Sequence, residues 1–82
     1  MTIEDQVYRA AVEMEVRTLR KGAARHVWLS ELDYARAQRE ADAEHRILNV
    51  HHIYHAGRYI PEGFAALMDA TLNVTTILRL ES

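Results

Sequence analysis

The stretch Leu29-Ser-Glu-Leu-Asp-Tyr-Ala-Arg-Ala-Gln-Arg-Glu-Ala-Asp-Ala-Glu-His-Arg-Ile-Leu-Asn-Val-His-His-Ile-Tyr-His-Ala-Gly57 decides the fold. It opens with Ser30 as an N-cap, Asp33 three residues on, and Leu29 placed to staple against Tyr34. Neither proline nor glycine interrupts it before Gly57. A helix that ran its length would reach about 39 Å at about 1.5 Å per residue. The first half, Ala35 to Ala41, is rich in alanine and charge, so it favours helix and has little to bury. The second half adds Ile47, Leu48, Val50, Ile53 and Tyr54 and holds four of the five histidines. The packed end is therefore expected at the histidines.

Working outward, the N-terminal segment predicts a helix over residues 3–21. Thr2 serves as its N-cap with Asp5 as partner, acid-before-base pairs follow at Asp5–Arg9 and Glu13–Arg17, and Gly22 marks the end. Its polar face is narrow: Gln6, Arg9, Glu13, Arg17 and Arg20. Ile3, Val7, Ala11 and Met14 form one apolar side, and Tyr8, Val12, Val16 and Leu19 form another. A helix on a single core needs an apolar stripe of little more than about 100°. Two apolar sides imply cover from two directions, and a second subunit or partner would supply it.

Residues 22–29 read as a connector. With the end of the first helix they gather Arg17, Arg20, Lys21, Arg25 and His26 without an intervening acid, beside Trp28. These groups form either a patch for phosphate or an acidic partner, or ordinary positive charge at a helix C-terminus with an aromatic anchor. The second reading is favoured, because so few cations give little affinity for nucleic acid.

After Gly57, Pro61 suits the first turn of a third helix over residues 61–79. Phe64, Leu67, Met68, Thr71, Val74, Thr75 and Leu78 recur at helical spacing. Against this, residues 73–80 have the β-branched composition of a strand, whose partner would be residues 25–30 or the same segment of a second subunit. The favoured fold class is all-α: a three-helix bundle or a helical hairpin plus a C-terminal helix, as a homodimer. The alternative is α+β with a C-terminal strand.

With 82 residues, 49% of them hydrophobic, the chain reads as one small domain over residues 1–82. A core this small gives limited stability, and without cysteine neither disulfides nor thiolate–metal ligation can reinforce it. The formal charge moves from −2 to +3 once all five histidines are protonated. No global field draws the chain to nucleic acid or an anionic membrane at neutral pH. There is no apolar run of bilayer length and no signal-peptide pattern at the start, so a cytoplasmic protein with no membrane role is expected.

On a continuous second helix, His51 and His55 at i, i+4 could share zinc or a similar divalent metal, and Asp42–His45 has a carboxylate–x–x–His spacing. One helix seldom supplies more than two ligands, so solvated faces are favoured over a metal site and no cofactor is expected. His51, Tyr54, His55, Arg58 and Tyr59 form the candidate partner-binding cluster, being adaptable and partly apolar. Phosphate-loop, nucleophile-elbow and zinc-protease patterns are absent, which argues against an enzyme. The expected function is a non-catalytic module that binds and modulates a larger protein, as adaptors, antitoxins and phage-type inhibitors do. A metal-binding helical protein and a nucleic-acid-binding regulator using Arg17, Arg20, Lys21 and Arg25 are the alternatives.

Overall fold

The computed structural model describes residues 1–57 and 59–81. The chain folds as α1 (Ile3–Thr18), β1 (His26–Leu29), α2 (Glu31–Ala43), β2 (Ile53–Ala56), β3 (Phe64–Met68) and β4 (Val74–Arg79). It is α+β, with two helices and a four-stranded mixed sheet, and the expected all-α bundle is overturned. The sheet order is β2-β1-β3-β4. β1 and β2 are parallel, while β3 runs antiparallel to both β1 and β4. Parallel neighbours need a crossover, and α2 supplies it.

Both helices start where their caps predict. Thr2 accepts the Asp5 N–H at 3.1 Å, and Ser30 accepts the Asp33 N–H at 3.1 Å. The Asp33 carboxylate also accepts the Ser30 hydroxyl and, at 2.7 Å, the Gly63 N–H, tying the start of α2 to the start of β3. α1 ends sooner than expected, at Thr18, with Leu19 as a left-handed cap rather than Gly22.

The expected helix over residues 30–56 stops at Ala43. His45 (φ 55°) and Asn49 (φ 34°) take left-handed backbone without glycine. Short polar side chains tolerate that region best, and Asn49 Oδ1 also accepts the Tyr54 N–H at 2.8 Å, launching β2. α2 buries only Asp33, Ala37 and Ala41, one side chain per turn, and nothing beyond Ala43 continues that row in helical form. The β-branched and aromatic residues that follow stabilise more by joining β1 in the sheet.

The expected third helix over residues 61–79 is likewise replaced, by the β3–β4 hairpin. Asp69 makes the turn: its Oδ1 accepts the Thr71 N–H, the Thr71 hydroxyl and the Asn73 N–H at 2.8–3.0 Å. This side-chain mimicry of a backbone turn breaks a helix without glycine or proline. Its hydrogen bonds from Thr71 and Asn73, with Arg20 nearby, hold the Asp69 carboxyl below its ordinary range.

Both helices pack on one face of the sheet. Ile3, Val7, Ala11 and Met14 from α1 and Ala37 and Ala41 from α2 meet Val27, Leu29, Tyr54, Ala65 and Leu67 from the strands. Gln6 fastens the C-terminal segment to this layer, donating to Glu81 O at 3.0 Å and accepting the Glu81 N–H at 2.7 Å. Among the described residues no helix is long and apolar enough to cross a membrane.

Candidate interaction surface

Strand side chains alternate between faces, so the register identifies what lies opposite the helices. One row across the sheet is His55, Trp28, Ala66 and Ile77; the next is Ile53, His26, Met68 and Val74. Phe64 and Arg79 pair beyond the first row, on the same side. Among the described residues no helix covers this face. Within it, however, Ala66 and Met68 are buried at 2% and 7% exposure, and His26, Trp28, His55 and Phe64 are half-buried. Ile53, Val74 and Ile77 stay 37%, 54% and 60% exposed, while Val27 and Leu29 on the other side are fully buried.

The centre of the face is ordered. The Trp28 and His55 rings stack at 4.3 Å with 14° between planes. His26 Nδ1 and His55 Nε2 share a 2.9 Å hydrogen bond, one ring donating and the other accepting. These contacts hold the aromatic groups in place. Towards β4, Ile60, Pro61, Phe64, Ala66 and Ile77 line an apolar cavity of about 160 Å³. A cavity of that size takes a benzene-sized group. None of the strand positions on this face is acidic, and its ionisable members are His26, His55 and Arg79.

The expected partner-binding cluster is divided. Among its described members, only His55 belongs to the open face. Tyr54 points the other way into the core at 6% exposure, and burial pushes its phenol pKa up, so it acts in packing. His51 lies against α1, its ring 5.1 Å from that of Tyr8. Tyr59 is fully exposed beyond β2, and Arg58 lies outside the described residues.

The residues considered for a metal also separate. His51 precedes β2 and His55 is within it, so the i, i+4 helical geometry does not exist. Asp42 accepts from Gln38 Nε2 near the end of α2, and His45 is exposed just beyond it. Among the described residues no group of three or more histidine, aspartate or glutamate side chains is placed to hold a metal ion.

The basic residues do not form one patch either. Arg17 and Arg20 line a cleft beside β4, where Arg20 donates to Asp69 Oδ2 at 3.3 Å. Lys21 is exposed at the end of α1, and Arg25 lines a separate groove with Tyr8, Glu15, His51 and His52. His52 is buried in that groove. Desolvation first, then the neighbouring His51, lowers its pKa against the opposing pull of Glu15, which keeps the ring neutral.

The sequence places His26 and Trp28 in the basic connector and does not join them to Ile53, Phe64 and Ile77 as one surface. The available signal was the period-two alternation in His26-Val-Trp-Leu29 and Ile53-Tyr-His-Ala56, which a helical reading of the second segment hides. No known family model, characterised protein or solved structure matches the chain.

Proposed function

We propose that this chain is a small non-catalytic interaction module that docks a larger protein through the open face of its sheet. The observation that supports this reading is the uncovered apolar and aromatic face formed by Trp28, His55, Ile53, Phe64 and Ile77. Such a face has its counterpart in protein interfaces, where aromatic anchors and a receiving cavity carry most of the affinity. The cavity between Phe64 and Ile77 suits one apolar anchor from the partner. With Arg79 and two histidines and no acid among its strand positions, the face favours a partner whose rim is acidic. We place its work in the cytoplasm, where a chain without cysteine loses nothing to the reducing environment.

Differential capture tests the reading. Wild type, Ile77→Glu and Ile53→Glu are used as bait in lysate of the native host, with Leu32→Glu on α2 as a surface control. The expected result is a protein enriched by wild type and by Leu32→Glu and lost with both sheet variants, all four remaining folded by circular dichroism. A captured set that is indifferent to Ile53 and Ile77 overturns the docking face.

Single-stranded nucleic acid is the second reading, favoured by one observation: stacked aromatic groups on an acid-free sheet can receive bases. It predicts oligonucleotide binding that weakens steeply with salt. Absence of binding at low salt removes it.

A further inference from the structure

The outer side of α1 carries a second uncovered apolar surface. Tyr8, Val12 and Val16, with the capping residue Leu19, fall within about 80° of one another on the helix. They remain 50%, 41%, 69% and 91% exposed, although the helix's other apolar side is buried in the core. The loop before β2 broadens this surface. Arg46 pairs with Glu4 at 2.7 Å and His51 packs on Tyr8, and between these anchors lie the exposed side chains of Ile47 and Val50.

We propose that a second copy of this chain occupies this surface, with the two α1 helices antiparallel about a two-fold axis near Val12. The chain's own spacing and charge select that occupant. A two-fold placed at Val12 sets Val12 against its symmetry mate and Tyr8 against Val16 of the other copy. The centre of the ridge is thus complementary to itself, while the exposed Asp5 falls opposite Leu19 at either end. Arg9 and Glu13 lie along one flank of the ridge, lining the same cleft with Gln6 and Ala10. The two-fold that swaps antiparallel helices keeps each flank on its own side, so Arg9 of one copy faces Glu13 of the other, twice. Among the described residues neither Arg9 nor Glu13 forms an ion pair within its own chain. A parallel two-fold would instead put the two Arg9/Glu13 flanks on opposite sides of the contact, where these pairs cannot form.

The contact is one helix ridge with a short adjoining loop from each copy, a small footprint beside the roughly 1,200–2,000 Å² that standard interfaces bury. The dimer is accordingly weak, with dissociation in the micromolar range. It leaves both open sheet faces uncovered, so a dimer presents two identical docking faces and binds a repetitive partner with avidity.

The test is light scattering and sedimentation of the full chain from low to high micromolar concentration. Wild type is expected to pass from one to two copies. Val16→Glu raises the dissociation constant by about 100-fold by burying charge in the ridge. Arg9→Glu and Glu13→Arg each raise it about tenfold, and the double variant Arg9→Glu/Glu13→Arg returns it to within about threefold of wild type, because the flank pairs re-form with reversed sign. With no natural cysteine, Val12→Cys is expected to form an intermolecular disulfide on mild oxidation, and Leu32→Cys is not. A strict monomer throughout overturns the proposal. A dimer broken by Ile77→Glu but unmoved by Val16→Glu and the charge variants also overturns it and assigns self-association to the sheet face. Capture through the sheet is read separately, since Val16→Glu leaves that face unchanged.

Discussion

His45 holds its backbone at φ 55° immediately after α2, where an ordinary side chain is strained and glycine is not. His45→Gly should therefore stabilise the fold by about 0.5–1 kcal/mol, measured by urea unfolding. In an unbroken helix the same change would cost about 0.3–0.5 kcal/mol, so the sign of the effect reports whether the helix ends there. His52 makes a second prediction. Its folded pKa lies below the ordinary 6.5, so its neutral form is favoured in the fold, and between the two pKa values the unfolded chain binds more protons. Stability should be level above about pH 7 and fall as pH drops through 6.5. Comparing urea midpoints at pH 7.5 and 5.5, His52→Asn should show a smaller fall than wild type; equal falls would remove His52 as the source. At this scale the caps were legible, because Thr2 and Ser30 act through local hydrogen bonds that a sequence displays. The left-handed positions were not, since His45 and Asn49 adopt their backbone only because residues 53–56 are drawn to β1.

The elements divide in the same way. α1 and the first half of α2 could be read from capping and propensity, and the alanine contacts of Ala37 and Ala41 follow from a helix with small side chains to bury. β4 was legible as the alternative, from its β-branched composition, although its partner is β3 rather than residues 25–30. β2 and β3 were not, because their stability is non-local: Tyr54 pairs across to Val27, and Leu67 lies between Val27 and Thr76. Phe64, Leu67, Met68, Thr71 and Val74 happen to satisfy a helical period as well, and the Asp69 turn that decides the matter contains no glycine. Leu67, fully buried at the centre of the sheet and touched by both neighbouring strands, should matter most. Leu67→Ala is expected to cost about 2–4 kcal/mol in the denaturant midpoint, as a large cavity in a small core. A loss below about 1 kcal/mol would place the core elsewhere.

At the scale of the molecule, two helices on one face of four strands leave the opposite face without a covering helix, with Ile53, Val74 and Ile77 exposed on it, and α1 leaves a second ridge exposed. The excess apolar surface of α1 was visible in the sequence as two apolar sides, and one of them indeed remains uncovered in the single chain. The sheet face was not visible, because recognising it requires knowing that Trp28, His55, Ala66 and Ile77 stand in one row. Of the described members of the cluster expected around a helix end, His55 lies in that row, Tyr54 is in the core, His51 packs on α1 and Tyr59 lies beyond β2. Mapping the docking face by NMR on the captured partner's complex is the most direct measurement. Addition of that partner should shift the methyl signals of Ile53, Met68 and Ile77 and the indole signal of Trp28, leaving Leu32 and Ala35 on α2 unmoved. Shifts confined to α2, the loop over residues 44–52 or the α1 ridge, with the sheet signals unchanged, would contradict docking through the open face.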